Sequence, residues 1–204
     1  MLLLLLAALV GCRAQQPPAA TPAQPQGPAP TVSKTLEGKT ILMVVAPKDF
    51  RDDEYTTPRS MFDAEGATVT VASTRRGTAV GVGGTQVPVD LVASEAKGSD
   101  YDAVVFVGGP GMVPYLDNAE FVRLAKESAA AGKVTAAICV APTILANAGL
   151  LKGVQATAWE SEHPKLKAAG ATISPHNTVR SGKIITANGP EAARDFATLI
   201  IHSL

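Results

Sequence analysis

Three nearly unbroken apolar runs constrain this chain more than any other feature: Ile41-Leu42-Met43-Val44-Val45-Ala46, Ala103-Val104-Val105-Phe106-Val107 and Val134-Thr135-Ala136-Ala137-Ile138. A strand with one wet face alternates apolar and polar residues. A run that is apolar throughout is buried on both faces, as in the centre of a parallel sheet. Parallel neighbours need long crossovers, usually helices, and the segments between the runs supply them. The pattern predicts helices over Glu54–Glu65 (ended by Gly66), Asn118–Ala131 (capped by Asn118, ended by Gly132), Pro142–Ala148 (stopped by Gly149) and Glu191–Ser203, with a helical turn at Lys165–Ala169. Further strands are expected at Thr68–Ala72, Lys183–Thr186 and Gln86–Val89, where Pro88 favours a sheet edge. Asp49–Asp53 reads as a polar loop, and Gly77–Gly84 as a loop or hairpin. The result is an α/β domain with a mostly parallel sheet and right-handed crossovers. Hydrophobic residues are 46% of the chain but aromatics only 4%, so Val, Ile, Leu and Ala must fill the core.

The 204 residues divide into three parts. Residues 1–12 are read as a signal peptide. Leu2 to Val10 is apolar and too short to span a bilayer as a stable helix, and it ends at Gly11-Cys12. That ending resembles the lipobox of bacterial lipoproteins, which makes Cys12 the expected lipidation site. An ordinary secretory segment or a short anchor is the alternative, since no Lys or Arg precedes the run. Residues 13–36 are Pro-, Ala- and Gln-rich with no apolar period, which predicts a disordered tether. Residues 37–204 form the domain. The expected location is the bacterial cell envelope, with the domain periplasmic and attached to the membrane only by its lipid.

Charge excludes some partners. Eighteen basic and eighteen acidic residues cancel, so no basic patch suggests nucleic acid. The first strand-to-helix turn lacks glycine, which argues against a dinucleotide fold. No Lys-Ser/Thr follows Gly108-Gly109-Pro110-Gly111, so a phosphate loop is not indicated. His163, His176 and His202 have no second ligand at metal-binding spacing, so neither a metal nor another cofactor is expected.

With Cys12 lipidated or removed, Cys139 has no partner in the chain. A buried, inert thiol is the ordinary fate of such a residue. The context Ala137-Ile138-Cys139-Val140-Ala141-Pro142 argues otherwise: a strand ends and a helix begins within three residues, between small neighbours, as in a nucleophile elbow. The helix N-terminus is expected to favour a thiolate. Glu54 and Gly108-Gly109 also follow carboxyl ends of strands, where ligands of such sheets bind. Backbone amides of the glycine turn are candidates for an oxyanion pocket. On its own, Glu54 reads equally well as one of several acids that a helix N-terminus favours.

The chain resembles the DJ-one (ThiJ)/PfpI family over nearly all of residues 39–204. The likeness rests on Lys39–Val44, on Glu54-Tyr55-Thr56-Thr57-Pro58, on Gly108-Gly109 and on Ala137–Leu145. It extends through Ala148-Gly149-Leu150-Leu151-Lys152-Gly153 and Lys183–Pro190. The family implies a flavodoxin-like three-layer sandwich, like that of class I glutamine amidotransferases, usually as a homodimer. It gives Cys139 the role of nucleophilic, oxidation-prone cysteine, and Glu54 that of a protonated glutamate bonded to the sulfur. It gives Gly109 and Val140 amides facing a developing oxyanion, with Gly108 beside them. Trp159 falls where some members place a histidine, and is expected to line the pocket. Members described as proteases carry His directly after the cysteine, where this chain has Val140.

These residues support several functions. A cofactor-free glyoxalase or deglycase, acting on a small reactive aldehyde or a glycated substrate, needs a soft nucleophile beside a proton-shuttling carboxyl. A redox sensor or protective protein with an oxidisable Cys139, a PfpI-type peptidase or amide hydrolase, and an inert envelope scaffold are the alternatives.

Overall fold

The computed structural model describes residues 34–204. Cys12 and the segments read as leader and tether lie outside the described residues, except that Leu36, assigned above to the tether, is fully buried with its amide donating to Glu65 O. Packing therefore begins just ahead of residue 37.

In chain order, β1 (Thr40–Val44) and β2 (Lys48–Phe50) precede α1 (Asp52–Ala64). Then come β3 (Thr68–Ser73), β4 (Gly77–Gly81), β5 (Gln86–Val89), β6 (Leu91–Val92) and β7 (Ala103–Phe106). Next are α2 (Ala119–Ala130), β8 (Val134–Ile138), α3 (Pro142–Asn147), β9 (Gln155–Ala156) and α4 (His163–Ala168). The chain closes with β10 (Thr172–Ile173), β11 (Thr178–Ser181), β12 (Ile184–Ala187) and α5 (Ala193–Ile201).

The main sheet has the order β11-β12-β8-β7-β1-β3-β6, and only β11 runs antiparallel. The three apolar runs are its centre. Met43 stands between Val71 and Val105 in the register, and all three are buried. Helices α1 and α5 pack together on one face, and α2 and α3 on the other. Right-handed crossovers force this arrangement: β1 steps outward to β3 through α1, while β7 steps the opposite way to β8 through α2. The five strands β3-β1-β7-β8-β12 follow the flavodoxin order, and the direction of winding reverses between β1 and β7. The fold is a flavodoxin-like three-layer sandwich.

Helix α2 shows how locally the elements are encoded. Asn118 Oδ1 accepts from the amides of Glu120 (3.0 Å) and Phe121 (3.2 Å), closing the N-terminus. Phe121, Leu124 and Ala125 share the buried stripe, and the Phe121 ring meets Phe106 of β7 at 6.4 Å between centroids. Burying a side chain of this size stabilises by about 2 kcal/mol.

Some expectations are corrected. The segment predicted as the loop Asp49–Asp53 instead takes in the end of strand β2 and the start of α1 at Asp52, so Glu54 sits in the first turn of the helix. Of the two alternatives expected for Gly77–Gly84, the hairpin holds: its strand β4 pairs with β5, and also with β2, in a separate three-stranded sheet. Asp52 pins that hairpin, accepting from Gly83 N (2.6 Å) and Thr85 N (2.9 Å). Strands β6, β9, β10 and β11 were not anticipated. Among the described residues no helix is long and apolar enough to cross a membrane.

Candidate active site

Strand β8 is buried along its whole length and ends directly on Cys139, whose φ is +64°. Asp49 is the one other non-glycine described residue with positive φ, at +55°. A left-handed cysteine costs about 1–2 kcal/mol and must be held in place. Here the surroundings hold it: Cys139 N donates to Ala187 O at 2.9 Å, and Cys139 O accepts from Trp159 N at 2.7 Å. The elbow read from the small residues around Cys139 is therefore a real backbone feature, and the thiol it presents is only 6% exposed.

Glu54 meets this thiol from the first turn of α1. Its carboxyl is completely buried, and Oε2 accepts from Gly108 N at 3.1 Å. Oε1 is buried with no well-aligned hydrogen-bond partner, though the carboxyl and the thiol are close enough to shift each other's ionisation. Burial raises the Glu54 pKa to about 7, against the opposing pull of Cys139, the Gly108 amide and the Arg51 guanidinium. Glu54 can thus hold or release a proton near neutral pH.

The same burial acts on the thiol. Desolvation, followed by the charge of Glu54, pushes the Cys139 pKa up to about 12, and the amides of Gly109 and Val140 only partly oppose this. This corrects the thiolate expected from a helix N-terminus. Helix α3 has only six residues, and burial takes the sulfur away from the water that would solvate a thiolate.

Two glycines make the approach possible. A Cβ on Gly108 would lie 2.6 Å from Cys139 Cβ and 2.7 Å from both Glu54 Oε2 and Ile138 O. Gly109 has φ of +104°, and a Cβ there would lie 2.8 Å from Asp49 O and from Phe50 C. The amides of Gly109 and Val140 face the sulfur, while that of Gly108 is committed to Glu54 and is not free for an oxyanion.

The remaining residues are placed as follows. Trp159 touches the elbow by its backbone, its indole lies over Gly189, and the residue is 47% exposed. His163 Nε2 is bonded to Ala158 O at 3.0 Å, and no described histidine hydrogen-bonds to Cys139. His176 lies in an exposed turn, and His202 is exposed just past α5. Among the described residues no group of three His, Cys, Asp or Glu is positioned to hold a metal ion. Arg51 was overlooked: its Nε is buried without a partner and its charge acts on Glu54. A lone cation just ahead of three acids at the start of α1 was the available signal.

Comparison with known proteins agrees with the fold. An uncharacterized protein of Methanocaldococcus jannaschii is 38% identical over 174 residues, covering 84% of this chain and 85% of its own. A Pyrococcus abyssi protein named deglycase is 31% identical over 149 residues, covering 73% of this chain and 90% of its own. A crystal structure of a ThiJ/PfpI domain protein from Brachyspira murdochii superposes with a TM-score of 0.79 at 35% identity, covering 80% of this chain and 95% of that one. The DJ-1/PfpI family model matches residues 39–203. The chain belongs to the DJ-1/PfpI family.

Proposed function

We propose that this protein is a cysteine-dependent, cofactor-free enzyme that converts reactive 1,2-dicarbonyls to 2-hydroxy acids, of the glyoxalase or deglycase type. The observation that carries this reading is the buried pairing of Cys139 with a carboxyl whose pKa lies near 7. The name of the Pyrococcus relative, deglycase, supports it.

The thiol is protonated at rest, so its proton leaves as the sulfur attacks. Ionised Glu54 takes that proton while the sulfur bonds to the aldehyde carbon, and then delivers it to the carbonyl oxygen, giving a hemithioacetal. The amides of Gly109 and Val140 stand where they can stabilise the transient alkoxide. Glu54 next removes the hydrogen from the sulfur-bearing carbon, and the resulting enediol is reprotonated at the neighbouring carbon. The product is a 2-hydroxy thioester. Water cleaves its C–S bond, releasing the 2-hydroxy acid and the thiol. One carbon is oxidised and its neighbour reduced within the same molecule, so no outside oxidant is needed. Peptide hydrolysis fits less well, because His163 is engaged by Ala158 O and Val140 occupies the position after the cysteine.

The assay is lactate formation from methylglyoxal by the purified domain. Turnover should be lost in Cys139→Ser and fall at least a hundredfold in Glu54→Gln; equal lactate from wild type and Cys139→Ser refutes the reading. In the same proposal, Cys12 carries a lipid that tethers the domain on the periplasmic side of a bacterial envelope, and the domain is a homodimer. Acyl labelling abolished by Cys12→Ser checks the first point, and light scattering coupled to size exclusion the second.

A further inference from the structure

A concavity lies beside the elbow, and none of the steps above uses it. Its volume is about 660 Å³, and its walls include Trp159, His163, Asn177, Asn188 and Glu191. Cys139 itself is not one of its walls, but its backbone bonds reach a wall residue and the neighbour of another. The partner of Cys139 O is Trp159 itself, and the partner of Cys139 N is Ala187, which immediately precedes Asn188.

The chemistry of the walls is specific. The indole of Trp159 is braced by the Gly189 backbone, with Gly189 Cα near enough that an added Cβ would lie 3.1 Å from the ring. Nearly half of the Trp159 surface remains open. Beside it, Asn188 Nδ2 donates to Asn177 Oδ1 at 3.0 Å, which orients both amides and, among the described residues, leaves Asn188 Oδ1 and Asn177 Nδ2 unused. Glu191 adds a carboxylate and His163 a second ring nitrogen. A supported aromatic face ringed by fixed amides and a carboxylate matches a chain of C–H and O–H groups. The C–H edges rest on the ring and the hydroxyls pair with the amides. A purely apolar ligand would leave those polar groups unpaired, and an anion would face Glu191.

We infer that this groove binds the hydroxylated carbon chain of a sugar, so that the preferred dicarbonyl is a sugar-derived 2-oxoaldehyde rather than the three-carbon methylglyoxal. The inference rests on the proposed dicarbonyl chemistry for its reacting end, with C1 at Cys139, and on the groove alone for the distal hydroxyls. The bond changes are those already given, and the product is a polyhydroxylated 2-hydroxy acid.

Trp159 is the one tryptophan of the chain, so it reports on the groove directly. The first measurement titrates sorbitol, a non-reactive six-carbon polyol, against Trp fluorescence of the full domain in the Cys139→Ser background. A saturable change is expected, with affinity weakened about tenfold by Asn188→Ala, the loss of one or two neutral hydrogen bonds. The second compares kcat/KM for 3-deoxyglucosone and for methylglyoxal. The ratio should exceed ten in wild type and fall about tenfold in Asn188→Ala. No saturable fluorescence change, or a ratio at or below one, overturns the groove assignment while leaving the dicarbonyl reading standing. Saturable sorbitol binding weakened in Asn188→Ala, without turnover of either dicarbonyl, upholds the groove as a polyol site and removes the enzyme reading instead.

Discussion

Replacing Glu54 by Gln should make Cys139 more reactive in alkaline solution. Glu54 is ionised above about pH 7, and its charge is one of the causes that push the thiol up to about 12. Glu54 Oε2 and Cys139 Cβ both lie within 2.7 Å of the point where a Gly108 Cβ would stand. The two atoms are therefore no more than about 5.3 Å apart, and two unit charges about 5 Å apart repel by about 3 kcal/mol at an effective dielectric of about 20. Removing that repulsion multiplies the thiolate present at a given alkaline pH by about a hundred. Gln is nearly isosteric, so Gly108 N keeps an acceptor. The assay is the second-order rate of iodoacetamide alkylation between pH 6 and 10, with adducts located by mass spectrometry. Wild type should alkylate slowly up to pH 9, and Glu54→Gln much faster between pH 8 and 9. If the variant alkylates more slowly than wild type in that interval, Glu54 supports the thiolate rather than opposing it, and the electrostatic account fails. The same substitution should lower dicarbonyl turnover at least a hundredfold, which separates the reactivity of the thiol from the delivery of its proton.

Other expectations follow from the same geometry. Glu54 titrates near 7 when folded, against 4.5 for the free group, so the unfolded chain binds fewer protons between those values and stability declines as pH rises through that window. The penalty is complete above pH 7 and amounts to roughly 3 kcal/mol, so urea midpoints of Glu54→Gln should exceed those of wild type at pH 8 and lose the excess by pH 4. Gly109→Ala places a Cβ at positive φ, 2.8 Å from Asp49 O; it should cost on the order of 3 kcal/mol in urea denaturation and eliminate turnover. Thr143 Oγ1 donates to buried Glu162 Oε2 at 2.8 Å, tying α3 to the segment before α4, and Thr143→Val should cost about 2 kcal/mol by the same measurement. An unchanged midpoint would show that this bond is replaced without loss.

The sheet centre was legible because burial on both faces leaves a sequence mark that no surface segment mimics: β1, β7 and β8 are the three apolar runs. Helix α2 was legible through Asn118 and the Phe121-Leu124-Ala125 stripe. The strands that went unread, β6, β9, β10 and β11, have two to four residues with partly exposed faces, too short for any periodicity to register. At the site, the rule that strand carboxyl ends converge brought Glu54, Gly108 and Cys139 to one rim without distances. The ionisation of the thiol could not be read that way, because desolvation depends on what closes over the sulfur from distant segments. Gly108 illustrates the same limit: its identity was readable, but which acceptor its amide serves was not. Trp159 was placed near the thiol by resemblance, and the bond that fixes it there runs through its backbone amide, which any residue would supply.

The clamp on Cys139 has a consequence for how this protein breathes. Its amide is locked into β12, and its carbonyl holds the loop that carries Trp159. Neither bond can open alone without freeing a backbone conformation that the cysteine prefers to leave. Exchange of the Cys139 and Trp159 amide hydrogens with deuterium should therefore proceed through cooperative opening of β8 and β12, among the slowest in the molecule. Chemistry at the sulfur is not confined to a surface loop: an adduct that unsettles the elbow would be felt as faster exchange along both strands.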